Sequence, residues 1–288
     1  MEAREAVSRY PAPAKLNLFL HVLGRRSNGY HDLQTVFRLI DRADEVAIAV
    51  RSDGVIRRTN ATPGVEAESD LCLRAAQMLR EAVSARLGPA AAMLGADIGL
   101  EKRLPIGGGL GGGSSDAATV ILVLNRLWDL KLDRAALMSL GLGLGADVPF
   151  FLFGANALGE GVGERLTALA LPPAWYLVLT PQVSVSTKEI FSSRALTRDT
   201  KPLKIPPFLP GLGKNDLQPV ATALYPEIAA HLKWLSQHGE ARMTGSGACV
   251  FAEFGTEAEA RAVEARLPAG MRGFVARGLD RHPLHDWG

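Results

Sequence analysis

The run Pro105-Ile-Gly-Gly-Gly-Leu-Gly-Gly-Gly-Ser-Ser-Asp116 constrains this chain more than any other stretch. Six of the seven residues from Gly107 to Gly113 lack a Cβ, so the backbone can take positive φ and turn several N–H groups toward one anion. An apolar strand pattern, Ile98 to Leu104, leads into the loop. Behind it Ala117, Val120, Ile121, Leu124 and Leu127 recur at three- and four-residue spacing, which predicts a helix beginning near Asp116 with Ser114 or Ser115 as its cap. The first turn of such a helix adds free N–H groups and a positive dipole end. Loop and helix together are shaped for phosphate, and their flanking strand and helix patterns argue against a flexible linker.

The kind of phosphate site is only partly fixed by these residues. Gly107, Gly109 and Gly112 satisfy G-x-G-x-x-G, a weak sign of a dinucleotide fold when it stands alone. Asp129 and Asp133 lie near the distance of a ribose-binding acid, yet neither ends a convincing second strand. A Walker A loop needs Gly-Lys-Ser/Thr, and here Gly113 is followed by Ser114. Any lysine that reaches the phosphates must come from elsewhere in the chain.

At 288 residues, with 47% apolar and 22% charged residues and a net charge of +2, the chain is neither disordered nor a nucleic-acid coat. Two ordinary domains are expected. Cys72 and Cys249 have no metal-ligand spacing and read as reduced, buried thiols of a cytosolic protein. The N-terminal residues mix charge signs without an apolar core, so no secretory signal is expected. From Leu137 to Gly159 the only charged residue is Asp147, a length that could cross a bilayer. Its glycines, its proline and the central acid favour a buried soluble segment with one purposeful carboxylate, and no membrane contact.

Strands are predicted at Lys15 to Val22, Leu33 to Ile40 and Glu45 to Val50, with a loop from Gly24 to Asp32. Asp70 to Leu87 has helical spacing, Ser69 as its cap and Gly88-Pro89 as its stop. Asp133 to Leu140 is expected to be helical, and Pro149 to break the chain just after Asp147. In the second half a strand at Trp175 to Thr180 precedes a polar, proline-rich exposed loop between Thr197 and Gly213. Ala248 to Phe254 alternates as a strand, Thr256 to Glu259 is a capping box opening a helix to Leu267, and Gly273 to Leu279 returns as a strand. These elements suggest an α+β architecture.

Three segments stand in order: "PAPAKLNLFLHV" at Pro11 to Val22, "PIGGGLGGGSSDAA" at Pro105 to Ala118 and "MTGSGACVFAEF" at Met243 to Phe254. The set resembles the GHMP kinases over nearly the full length. Further segments at Gly24 to Phe37, Gly145 to Gly154, Gly159 to Leu166 and Lys214 to Ala221 resemble the branch whose acceptor is the 2-hydroxyl of a methylerythritol carried on a cytidyl diphosphate. The resemblance implies phosphoryl transfer from ATP with magnesium, in the non-mevalonate route to isoprenoid precursors. It implies a two-domain fold, residues 1–162 and 163–288, with the active site in the interdomain cleft. Asp70 and Asp116 stand where relatives often carry asparagine, which puts contacts near the nucleotide in doubt. A rival reading is another small-molecule kinase of the same family. A non-catalytic RNA-binding module is disfavoured by the lack of a basic stripe.

Phosphoryl transfer asks for an aligned oxygen nucleophile and neutralised charge on the transferring group. Asp147, in its nearly charge-free segment, suits a partly desolvated base, although a structural acid capping a turn would look the same. Lys15 alone could equally be a solvated strand end. The resemblance places both at the transferred phosphate, Asp147 as general base and Lys15 as its partner. It assigns the nucleotide to Pro105, Gly107, Gly108, Gly109, Leu110, Gly111, Gly112, Gly113, Ser114 and Ser115. Asn17, two residues from Lys15 and on the same strand face, could bond substrate hydroxyls or face solvent. Tyr30 and His31 form an aromatic pair in a glycine-bounded loop that could also pack in the core. The resemblance has Tyr30 stacking on the cytosine, His31 bonding it, Phe191 covering the other face, Phe37 lining the site and the turn at Gly245 and Ser246 closing over it.

Overall fold

The computed structural model describes residues 7–61, 70–205 and 211–288. Its spine is an antiparallel pair, β1 (Ser8–Arg25) and β2 (His31–Arg51), in register from Ser8 opposite Ile48 to Arg25 opposite His31. The strands predicted at 33–40 and 45–50 are thus one. Between the two patterns the acids of the polar run Asp41 to Asp44 find partners on neighbouring segments: Asp41 accepts from Arg277 N, and Asp44 from Arg103 N and Leu104 N. With those groups satisfied, the backbone stays extended.

β3 (Ile56–Arg58) and β4 (Gly95–Glu101) pair in parallel across α1 (Leu71–Leu87). Asp70 caps α1 by accepting from Cys72 N and Leu73 N; the expected cap, Ser69, lies outside the described residues. Gly88, at φ +56°, ends the helix as predicted, and a short 3-10 turn follows. The helix after the glycine loop, α2 (Gly112–Leu127), begins a turn earlier than the sequence predicts. Then come α3 (Arg134–Leu142), capped by Asp133, and α4 (Val148–Phe153). Pro149 does not break the chain there. It sits in the first turn of α4, where a missing N–H costs nothing. The hairpin β5 (Ala157–Gly161) and β6 (Arg165–Ala168) completes this half. The apolar segment 137–159 therefore folds as short helices and a strand, and no helix among the described residues is long and apolar enough to cross a membrane.

In the second half β7 (Trp175–Leu179) is followed by α5 (Thr187–Ser192), α6 (Gln218–Leu224), α7 (Pro226–Leu235), β8 (Ala241–Met243), β9 (Val250–Phe254), α8 (Glu257–Glu264) and β10 (Gly273–Leu279). β9 and β10 flank β7, both antiparallel to it, and α8 crosses between them. Its capping box is present at Thr256 and Glu259, although the helix stops at Glu264, short of Leu267. The described part of the 197–213 segment has no regular structure, as expected.

The described strands join in one sheet of order β3-β4-β2-β10-β7-β9-β8, with β1 and the β5–β6 hairpin also on β2. β1 threads three apolar clusters. Ala12 packs with Val120, Ile121, Phe150 and Phe151 under α1 to α4; Leu16 and Phe19 pack with Tyr176 and Phe251; Leu20 and Val22 pack with Ile228 and Leu235 under α6 and α7. α2 is buried on all sides from Ser115 to Asn125 and so carries the glycine loop on a fixed base. Each fully buried aliphatic or aromatic side chain contributes about 1.5–3 kcal/mol by leaving water.

Strands β2 and β10 join the halves through two register pairs, Ile40 opposite Gly278 and Leu39 opposite Leu279, beside isolated bridges at Leu20–Asn215 and Ala155–Arg281. Asn156 reinforces this joint: its Oδ1 accepts from Leu39 N at 2.9 Å and its Nδ2 donates to Leu279 O at 2.9 Å. Asn156→Ala leaves both buried backbone groups unpaired and is expected to lower unfolding stability by about 1–3 kcal/mol per group. A urea midpoint equal to wild type would show that the joint does not depend on this amide.

Candidate active site

Gly107, Gly109 and Gly111 all lie in the left-handed region, at φ +71°, +76° and +72°. An L side chain is strained there, and at Gly109 a Cβ would also stand 2.2 Å from Thr244 O. The loop is consequently pressed against the second glycine turn, at Gly245, across which Cys249 N donates to Gly108 O at 3.1 Å. Leu110 is buried and its carbonyl accepts from Lys15 N at 3.0 Å. Gly111 is the helix cap of α2 and offers no side-chain hydrogen bond. The first-turn N–H groups are thereby left for an anion. Ser114 and Ser115 are not the caps the sequence suggests: both lie inside the helix, where Ser115 Oγ donates to Pro13 O at 2.7 Å.

Lys15 and Asp147 meet, with Nζ 3.2 Å from Oδ2. Lys15 is 3% exposed, and its ammonium also donates to Asn17 Oδ1 at 2.6 Å. The Asn17 amide is engaged at both ends, because its Nδ2 donates to Thr35 Oγ1 at 2.9 Å. Asp147 precedes α4 but accepts no capping hydrogen bond, so it is not a structural turn acid. Its side chain is 35% exposed, a carboxylate open on one side and paired on the other. The Phe37 ring lies 5.6 Å from Lys15 Nζ and stacks on Phe150 at 4.6 Å.

Two cavities meet at the glycine loop. The larger, about 880 Å³, is lined by Lys15, Asn17, Tyr30, His31, Phe37, Asp147, Phe191, Gly245 and Ser246. The smaller, about 390 Å³, is lined by Pro105, all of Gly107 to Ser114, Asp70, Leu71, Lys102 and Asp116. Gly107, Gly109, Gly111 and Ser114 line both. Of the residues expected at the site, Ser115 alone lines neither. Thr35 and Lys102 were not expected there; a threonine in a strand and a lysine before a loop carry no distinguishing pattern.

At the far end of the larger cavity a tight turn, closed by Arg26 N donating to Tyr30 O at 2.8 Å, presents Tyr30 at 62% exposure. His31, at the start of β2, is buried, with its ring 5.0 Å from that of Phe191. Burial, then the nearby Arg198 and Arg25, hold its pKa below the ordinary histidine value, so the ring is neutral at pH 7. On the smaller cavity, Lys102 bridges two buried carboxylates, Asp44 and Asp116. Asp116 Oδ1 has no hydrogen-bond partner.

Residues 70–155 match the sequence profile of the GHMP kinases N terminal domain, and residues 207–273 that of the GHMP kinases C terminal. The chain is 60% identical over 280 residues to a 4-diphosphocytidyl-2-C-methyl-D-erythritol kinase of Nitrosospira multiformis, covering 96% of this chain and 93% of that one. It is also 60% identical to the protein of the same name from Thiobacillus denitrificans, over 96% and 98%. A crystal structure of 4-(cytidine 5'-diphospho)-2C-methyl-D-erythritol kinase superimposes with a TM-score of 0.77 at 35% identity, covering 94% of this chain and 99% of that one. A mevalonate kinase crystal structure shares the fold at 14% identity, with a TM-score of 0.66 over 95% and 100%.

Desolvation, with repulsion from Asp44 and against the pull of Lys102, pushes the Asp116 carboxyl up to about 7. An unfolded aspartate ionises near 4, so between roughly pH 4 and 7 the folded chain holds the extra proton and this group's contribution falls as pH rises. Asp116→Asn stays neutral. Its melting temperature is expected to gain on wild type by several degrees as pH rises from 4 to 7, and no further by pH 8. A difference independent of pH would mean that Asp116 titrates ordinarily.

Proposed function

The chain belongs to the GHMP kinases, and on that premise we propose that it transfers the γ-phosphoryl group of ATP to the 2-hydroxyl of 4-diphosphocytidyl-2-C-methyl-D-erythritol. The observation that carries this reading is the Lys15–Asp147 pair standing in the larger cavity beside the glycine loop that also walls the smaller one. The smaller cavity takes the nucleotide, with its phosphates against the first turn of α2. The larger takes the cytidyl acceptor. Full-length relatives at 55–60% identity bearing that kinase name support the acceptor's identity.

Asp147, open to the larger cavity, takes the proton from the acceptor hydroxyl as its oxygen attacks the γ-phosphorus and the bond to the bridging oxygen of ADP breaks. Lys15, 3.2 Å from that carboxylate, sets a fixed positive charge beside the transferring group. Asn17 and Thr35 hold Lys15 in place rather than leaving it to solvent. Glycines at 109 and 245 let the two turns approach closely enough to bring the two halves together over the reacting groups.

Magnesium fits this site as an ion brought by the nucleotide. Among the described residues no three His, Cys, Asp or Glu side chains converge to cage a metal, as is usual where substrate phosphates supply most ligands. The unpartnered Asp116 Oδ1 and the Ser114 hydroxyl, both on the nucleotide cavity, are the oxygens that would hold it. When bound, the ion neutralises charge on the phosphates. The reading places the enzyme in the cytoplasm, where ATP is supplied.

ADP release should require the cytidyl acceptor, and in a thermal-shift panel that compound should stabilise the protein where mevalonate and homoserine do not. Stabilisation by either of the latter alone would overturn the acceptor assignment. Asp147→Asn and Lys15→Met are expected to fold and to lose about 10²–10⁴-fold in kcat. Near wild-type turnover by Asp147→Asn at saturating substrates would remove it as the base.

Tyr30→Ala is expected to raise KM for the cytidyl acceptor by about tenfold or more through loss of one stacking face, with KM for ATP unchanged. Steady-state kinetics varying each substrate in turn checks it.

A further inference from the structure

The segment after α5 has no regular structure, yet one of its side chains is held by four hydrogen bonds. Arg198 Nη1 donates to Leu196 O at 3.0 Å, and Nη2 donates to Phe191 O at 2.9 Å and Ser193 O at 2.6 Å. Its Nε donates to His31 Nε2 at 3.1 Å. These contacts tie the end of α5, which carries Phe191, to the start of β2, which carries His31. The two rings lie 5.0 Å apart and 32° from parallel, so the guanidinium fixes their relation.

We infer that Arg198 is a positioning residue that fixes the His31 tautomer, making His31 a hydrogen-bond donor through Nδ1 and thereby selecting cytosine over uracil. A guanidinium has N–H donors only and does not lose its proton in proteins. The nitrogen facing it must accept, so Nε2 carries no hydrogen, and a neutral imidazole then carries its proton on Nδ1. The ring is buried beside two arginines, Arg198 and Arg25, which oppose the doubly protonated form. Nδ1 makes no hydrogen bond among the described residues, and His31 lines the larger cavity. Cytosine N3 is an acceptor and matches a donor; uracil N3 bears a hydrogen and opposes it. The discrimination half rests on the acceptor proposed above.

The tautomer is read on the protein alone, by ¹⁵N NMR of the imidazole nitrogens, with His31→Gln assigning the signals among the six histidines. In wild type His31 should show a protonated Nδ1 and an unprotonated Nε2. Arg198→Ala should shift the population toward a protonated Nε2. It should also raise KM for the cytidyl acceptor by about tenfold, and cut the cytidyl-to-uridyl preference in kcat/KM by about as much, with KM for ATP unchanged. Arg198→Lys, which keeps the charge but not the fork, should fall between them. A protonated Nε2 in the wild type would overturn the inference outright. So would an Arg198→Ala enzyme that keeps the wild-type tautomer and preference. If wild type phosphorylates neither nucleotide-linked acceptor, the functional reading fails while the NMR result still decides what Arg198 does.

Discussion

The close approach of two glycine turns governs the rest of the site. Gly109 and the Thr244–Gly245 turn lie far apart in the chain, yet a single methyl group at 109 would fall 2.2 Å from Thr244 O. Because glycines stand at 109 and 245, backbone meets backbone. Gly108 O accepts from Cys249 N, and Thr244 Oγ1 accepts from Asn17 N at 2.9 Å. That junction sets the height of the glycine loop over β1, and Leu110 O then fixes Lys15 through its backbone N–H. The glycine loop, the Lys15–Asp147 pair and the second glycine turn are therefore held in place by this junction.

Two lysines sit beside this junction in different company. Lys15 is shared between one carboxylate and a neutral amide, and that carboxylate is open to the larger cavity. Lys102 is shared between two buried carboxylates, Asp44 and Asp116. One positive charge cannot fully compensate two buried negative ones, so the surplus falls on Asp116 as a raised pKa. Asp44 also accepts from Arg103 N and Leu104 N, which lead into the loop. The open pair suits proton transfer. The buried triad suits holding this side of the loop in place, since removing Lys102 would leave two carboxylates buried without their cation.

The recognition end of the larger cavity depends on contacts between halves in the same way. Tyr30 comes from a turn closed on itself, whereas His31 and Phe191 come from opposite halves and acquire a fixed relation through Arg198. Rigid placement of polar groups lets a site reject a near-isostere, because an unmatched partner then leaves buried groups unpaired.

Much of this was legible in residue order. Glycine spacing announced the anion cradle, the lone carboxylate in an apolar segment pointed to Asp147, the capping box at Thr256 and the strands at 175–180 and 273–279 followed from local chemistry, and the resemblance joined these pieces into one family. Such features are local: backbone freedom, alternation and caps act within a few residues. What failed did so where a distant partner overrode the local signal. The strand patterns at 33–40 and 45–50 looked separate, but β10 and the loop supply partners for Asp41 and Asp44 and the strand runs through. Ser114 and Ser115 looked like caps, but the helix starts at Gly112, and Ser115 bonds Pro13 instead. The helices at 187–192, 218–224 and 226–235 had no pattern strong enough to stand out from their surroundings. Lys102 and Arg198 acquire meaning only from what the fold sets beside them. Sequence by itself determined the family, because this resides in residue identity and short spacing; tertiary structure decided which carboxylate is open, which is trapped and which donor faces His31 Nε2, because burial and hydrogen-bond partners are set by neighbours far away in the chain.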